Sequence, residues 1–281
     1  MPLALILSSH VAASRVGGFV QALALARFGI DPVLIPTVLY GRHPGWGAPG
    51  GAQVPIRTFQ GMLDGVAANG LLSRVDLVLT GYFASPAQVL ATAKAIDTVR
   101  AGPREADARK PIVVVDPVMG DEGKGLYILP ETAEAIASEL LPRADYLAPN
   151  AWELGRLSGE TPREPPDFVS ACRKLRRAVL VSSVRHGEEI GVVYADARQA
   201  WYAAHAALDH APNGSGDLLT ALFAAALLED QPASYALARA VGGVAETVHA
   251  AQVWNAPELP VVGIDARLRT ASPAVRLERL A

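Results

Sequence analysis

The chain has 281 residues, 51% hydrophobic and 19% charged, enough apolar material for a sizeable core and too apolar a balance for disorder. A formal net charge of −3 gives no electrostatic reason to expect nucleic acid or an anionic membrane as a partner. Cys172 is the only cysteine, which excludes an internal disulfide and suits a reducing cytoplasm.

The opening run Leu3-Ala4-Leu5-Ile6-Leu7 is short, lacks a preceding positive charge and gives way to Ser8-Ser9-His10. It reads as a buried first strand rather than a targeting segment, so the protein is expected to be cytoplasmic. Further short apolar runs at residues 32–36, 77–80, 112–116, 146–147, 179–182 and 191–194 read as strands. Helical patterns alternate with them over 17–28, 62–72, 86–99, 131–141, 151–157 and 167–176. The alternation argues for βαβ units around a mostly parallel sheet, and strands as apolar as Ile112-Val113-Val114-Val115 suit cover on both faces. After residue 184 the pattern changes to a β-pair, 191–195 with 199–205, followed by two long helices, 217–228 and 233–253. Neither repeat nor linker interrupts the chain, and residues 1–281 are expected to form one domain. The run 218–228 falls well short of the roughly 20 residues that span a bilayer.

Chemistry-bearing residues cluster at strand and helix ends. Pro212-Asn213-Gly214-Ser215-Gly216-Asp217 precedes the apolar helix 217–228. A small-residue turn opening a helix aims free N–H groups and the positive dipole end at one point, where phosphate or developing negative charge is stabilised. Asp217 at that point suits a general base beside an anion hole formed by Gly214, Ser215 and Gly216, although an acid in a first turn also serves simply to cap a helix. Asp116 ends an apolar strand before Pro117-Val118-Met119-Gly120, where a carboxylate projects at the ligand-binding edge; an Asp-Pro pair also ends strands as an ordinary turn. Asn150 and Glu153 share one face of a helix start, pointing either at phosphates and metal or at each other in a capping box. Ser9 and Thr37 close the first two strands, and Gly81-Tyr82 follows the third, a set suited to a flat heterocycle. Two glycine-rich loops, 40–52 with His43 and Trp46, and 121–125, are placed to close over a substrate. No zinc spacing, Walker loop or dinucleotide fingerprint is present.

In order and spacing, Pro36-Thr37-Val38, Gly81-Tyr82, Asp116-Pro117-Val118-Met119-Gly120, Ala148-Pro149-Asn150 with Glu153-Leu154, and Gly214-Ser215-Gly216-Asp217 resemble the pyridoxal kinase family of the ribokinase-like superfamily. The resemblance implies a three-layer α/β sandwich and ATP-dependent phosphorylation of the 5′-hydroxymethyl group of pyridoxal, pyridoxine or pyridoxamine. It implies that Ser9 meets the pyridine nitrogen, Thr37 the ring substituents and Tyr82 the ring face, with His43 in the covering loop. Asp116 and Glu153 would organise Mg²⁺, while Asp116, Asp121, Asn150, Glu153 and Ser183 would surround the nucleotide. Asp217 would be the base, in contact with the substrate above the anion hole. Family members are commonly homodimers, sometimes assisted by a monovalent cation such as K⁺. Pro36, Leu39, Ala148 and the segment Val184-Arg185-His186-Gly187 depart from the family pattern, which touches substrate choice and nucleotide grip more than the catalytic step. Rival readings are a hydroxymethylpyrimidine kinase, whose anion-hole loop typically carries a cysteine absent here, and a pyridoxal carrier without turnover.

Overall fold

The computed structural model describes residues 1–103, 109–208, 211–264, 268–269, 272 and 274–281. The apolar runs become β1 (Leu3–Val11), β2 (Asp31–Tyr40), β3 (Gly51–Gln53), β4 (Leu77–Thr80) and β5 (Ile112–Val115). A two-stranded ribbon follows, β6 (Gly120–Asp121) with β7 (Gly125–Leu126), and then β8 (Tyr146–Leu147), β9 (Ala178–His186), β10 (Glu189–Ala195), β11 (Ala200–Ala206) and β12 (Arg276–Arg279). The helices between them are α1 (Gly17–Arg27), α2 (Ile56–Ala68), α3 (Pro86–Ala101), α4 (Pro130–Ala135), α5 (Ala151–Ser158), α6 (Pro165–Lys174), α7 (Ser215–Leu228) and α8 (Ala233–Val253).

One sheet of ten strands runs β12-β11-β10-β9-β8-β5-β4-β1-β2-β3. From β9 to β2 every neighbouring pair is parallel, and the pairs at the two margins are antiparallel. The strands are apolar throughout because their alternating side chains feed two cores. Leu3, Leu5 and Leu7 of β1 enter the core under α2, α3, α5 and α6, whereas Ala4 and Ile6 enter the one under α1, α7 and α8. The same split divides Val113 and Val115 from Val114 in β5. The result is a three-layer α/β sandwich with a mostly parallel centre, as the sequence led us to expect. Helix α7 is apolar on all sides and buried over Leu218–Leu228, as a helix walled by the sheet and two neighbouring helices must be.

Local boundaries differ from the sequence reading in instructive ways. Helix α2 starts at Ile56 rather than residue 62, buries only Phe59 and Leu63, and stops at Asn69-Gly70, where Gly70 takes φ +69°. The stretch read as one helix over 131–141 is α4 followed by a wider-wound π turn, Ile136–Leu140, and a 3₁₀ turn containing Pro142. Loop 40–52 contributes a 3₁₀ turn at Pro44–Trp46 and the edge strand β3, paired to the end of β2.

Two bulges interrupt the parallel core and its margin. Between β1 and β2, Ser9 alone stands opposite Thr37 and Val38; between β10 and β9, Val192 stands opposite Ser182 and Ser183. Bulges re-aim side chains, and both fall within their strands at residues expected to bind, Thr37 and Ser183.

Candidate active site

The N-terminus of α7 rests on the loop after β1. Gly214 takes φ +92° and a Cβ there would come 2.1 Å from the Arg15 carbonyl oxygen, so glycine is required for the approach. The amides of Ser215, Gly216 and Asp217 lie in the first turn, where a helix has no internal acceptors for its N–H groups. Asp217 does not cap its own helix: the Gly17 amide donates to its Oδ2 at 2.8 Å. Gly17, itself at φ +57°, packs on Ser9 so closely that a Cβ would sit 2.0 Å from the Ser9 hydroxyl oxygen. The base candidate, the opening of α1 and the end of β1 are therefore one assembly. Burial pushes the Asp217 carboxyl up to about 6, against the opposing pull of the Gly17 hydrogen bond.

Asp116 and Glu153 stand behind it, at 6% and 2% exposure. Burial raises the Asp116 carboxyl well above its ordinary value, reinforced by the charges of Glu153 and Asp217 and opposed by a hydrogen bond from the Thr220 hydroxyl at 3.2 Å. Burial likewise pushes Glu153 up to about 7, against its backbone hydrogen bonds. Those bonds define what Glu153 does. Met119 N–H (2.8 Å) and Gly120 N–H (3.3 Å) donate to Oε1, and Asn150 N–H (2.8 Å) donates to Oε2. The Asn150 side chain closes the capping box by accepting from Glu153 N–H at 2.9 Å and donates to the Gly120 carbonyl at 2.8 Å. Of the two readings of the Asn150/Glu153 pair the structure shows the capping box, and the cap also fixes the turn after β5.

The expected acceptor residues converge at the bulge of β2. Thr37 is fully buried, and its hydroxyl donates to the Tyr82 carbonyl at 2.7 Å. It has no surface turned to the cleft, so its expected contact with a ring becomes an indirect one through Tyr82, because its one proton is committed to the backbone. Tyr82 is half-buried, and burial with the neighbouring Tyr40 raises its phenol. Gln88 of α3, absent from the sequence reading, braces this wall: its amide donates to the carbonyls of Thr37 and Val54 (both 2.9 Å) and accepts from Ala84 N–H at 3.0 Å. A polar residue inside an apolar helix pattern was the available signal.

The covering loops meet above α7. His43 caps the turn at Pro44 by accepting from Gly45 N–H, and lies 3.5 Å from the Asn213 amide. Burial and the charge of Lys124 lower its pKa, with Glu258 acting in the opposite sense. Loops 40–52 and 121–125 therefore approach each other and the Gly214 turn. On the far side, a cleft of about 360 Å³ is lined by Asp121, Asn150, Trp152, Ser183 and Arg185 among others, which brings together three of the expected nucleotide residues. Ser183 takes φ +62° at the bulge of β9. Tyr127 was also not foreseen; burial and the charges of Glu153, Asp116, Asp121 and Asp217 raise its phenol.

Among the described residues no group of three or more His, Cys, Asp or Glu side chains forms a metal cage. The donors present fit Mg²⁺, which is commonly held by one or two carboxylates with waters and substrate phosphates. Asp116 suits that part, since only Oδ2 is bonded, whereas the Glu153 oxygens are taken up by backbone amides.

A three-layer sandwich with an aspartate at the N-terminus of α7, facing the carboxyl edge of the parallel strands, is the arrangement implied by the resemblance to ribokinase-like phosphotransferases. The family model described as phosphomethylpyrimidine kinase matches residues 87–261. The pyridoxal kinase PdxY of Pseudomonas aeruginosa (strain UCBPP-PA14) is 31% identical over 99% of this chain and 97% of its own length. The pyridoxine/pyridoxal/pyridoxamine kinase of Bordetella avium (strain 197N) is 34% identical over 78% of this chain and 75% of its own. In fold, the pyridoxal kinase from Leishmania donovani, solved with ADP and pyridoxamine, superposes with a TM-score of 0.92 at 24% identity, all of both chains covered. The chain belongs to the pyridoxal kinase family.

Proposed function

We propose that the protein transfers the terminal phosphoryl group of ATP to the 5′-hydroxymethyl group of pyridoxal, pyridoxine or pyridoxamine, giving the corresponding 5′-phosphate and ADP. The observation that carries this reading is Asp217, a carboxylate released from capping its helix, held by Gly17 and placed beside the free amides of α7. Asp217 accepts the hydroxyl proton as the alcohol oxygen bonds to phosphorus and the bond to the ADP oxygen breaks. The amides of the Gly214 turn stabilise charge on the transferring group, commonly the largest single contribution to such a step. Ser9 and Tyr82 bind the ring, Thr37 and Gln88 hold Tyr82 in place, and His43 covers the acceptor. Asp121, Asn150 and Ser183 face the nucleotide.

Asp116 would hold Mg²⁺ through water with Glu153 organising the turn behind it; when bound, the ion neutralises phosphate charge. A stimulating monovalent cation and a homodimer belong to the same reading, tested by K⁺ titration and light scattering. A cytoplasmic location agrees with the single buried cysteine, and no helix among the described residues is long and apolar enough to cross a membrane.

The decisive experiment measures ADP release with Mg·ATP and each B6 vitamer, with hydroxymethylpyrimidine alongside. Release with the vitamers alone is expected. Release with hydroxymethylpyrimidine alone, or tight pyridoxal binding without release, overturns the proposal.

A further inference from the structure

The bulge in β9 does more than tilt Ser183. Before it, Val179 and Val181 enter the core under α5 and α6, and Leu180 enters the core under α7 and α8. Strict alternation would continue by sending residue 185 toward the first of these. The extra residue shifts the phase: Val184 takes the first core, and Arg185 is turned to the side of the sheet on which α7 packs. It is paired with Ile190 of β10, and both residues line the 360 Å³ cleft.

The charge balance there is distinctive. The other charged residues of the cleft wall are acidic, Asp121 and Glu122. Arg185 forms no ion pair among the described residues; His186 pairs with Glu164 at 2.6 Å and Glu189 with Arg276 at 2.7 Å, whereas Glu188 of the β9–β10 turn and Asp121 and Glu122 across the cleft form none. An exposed guanidinium without a carboxylate partner, turned by the bulge at Ser183 (φ +62°) into a cleft that Asn150 and Ser183 also line, has the chemistry to receive phosphate. Its planar fork matches two phosphate oxygens, and Lys would supply only a point charge.

We propose that Arg185 binds the polyphosphate of the nucleotide, gripping the oxygens upstream of the transferred group while the Gly214 turn holds the group itself. This rests on the reading of the cleft as a nucleotide site. It assigns to Arg185 a role in affinity for the phosphate chain, not for the base and not for the acceptor.

Calorimetric titration of the intact protein with ADP and with adenosine tests it without requiring turnover. Arg185→Ala should weaken ADP binding about tenfold, the worth of one charge-assisted hydrogen bond, and leave adenosine binding as it was. Arg185→Lys should recover part of the loss. In steady state, KM for Mg·ATP should rise by a similar factor while KM for pyridoxal stays put. Unchanged ADP affinity, or an equal loss for adenosine and ADP, overturns the assignment. Thermal melts of the variants, expected to match the parent, separate a lost contact from a lost fold. Wild-type binding of ADP without phosphorylation of any vitamer would sink the proposed function and leave the Arg185 result standing.

Discussion

The two bulges flank the same site and are built in opposite ways. The one in β2 is internal: Thr37 is fully buried, its hydroxyl spent on Tyr82 and its carbonyl taken by Val54 N–H and Gln88. The one in β9 is open, with Ser183 and Arg185 exposed and Ser183 in the left-handed region. The expected acceptor side is thus a preformed wall whose braces, Thr37 and Gln88, are committed to backbone groups. On the expected nucleotide side Asn150 is committed to Gly120 and Glu153, but Ser183 and Arg185 are exposed, which suits a flexible, charged ligand. Asp217 stands between the two and answers to neither alone.

That division can be broken by experiment. Asp217→Asn keeps the size of the side chain and removes the base, so kcat should fall at least about 10²-fold, with both KM values little changed. A shift confined to one KM would place Asp217 on one side only. The same residue sets the acid limb. Its carboxyl is pushed up to about 6 by burial and has to be ionised to accept a proton, so kcat/KM should decline as pH drops through about 6 and level off above it. His43, with its pKa lowered, is neutral on that plateau, and His43→Ala should leave the limb where it is. Displacement of the limb by His43→Ala would transfer the titration to the covering loop.

Gln88→Leu removes the brace of the acceptor wall and strands buried backbone groups, costing about 2–4 kcal/mol of stability. Chemical denaturation reads this directly, and a change below about 0.5 kcal/mol would show that the wall holds itself. Thr37→Val, nearly isosteric, should raise KM for pyridoxal about fivefold, the worth of one neutral hydrogen bond, and leave KM for Mg·ATP unchanged; the reverse pattern would misplace the acceptor pocket. The smallest effect is expected from Ser183→Gly, which keeps the left-handed turn and removes only the small CH2OH side chain. Stability should stay within about 0.5 kcal/mol, whereas the β-branched Ser183→Val should raise KM for Mg·ATP by straining the bulge.

Much of this architecture could be read from the chain because it follows from local periodicity. Continuously apolar strands such as Ile112-Val113-Val114-Val115 announce a sheet covered on both faces, and the fully apolar α7 announces a buried helix. β12 escaped notice because Arg276-Leu277-Glu278-Arg279 is exposed and charged; its identity as a strand comes from pairing with β11. In the site, Asp116, Asn150, Glu153 and Asp217 were legible as residue types at element ends. The capping box of Asn150 with Glu153 was legible too, being local, but the partners of Asp217 and Asp116 were not, since Gly17 and Thr220 act across long stretches of chain. The bulges were equally silent: an extra residue exists only relative to a partner strand, and neither Thr37 nor Ser183 signals it locally.

The hydrogen bond from Gly17 to Asp217 joins residues 200 positions apart in the chain. During synthesis the opening of α1 leaves the ribosome long before its acidic partner is made, and the anion hole arrives with that same late segment. The first three-quarters of the protein therefore carries the proposed ring wall but neither the proposed base nor the anion hole. A chain ending before α7 leaves the sheet face of Ala4, Ile6 and Val114 uncovered, so it should transfer no phosphate, and mixing it with the missing C-terminal piece would test whether catalytic competence can be restored after synthesis by docking alone.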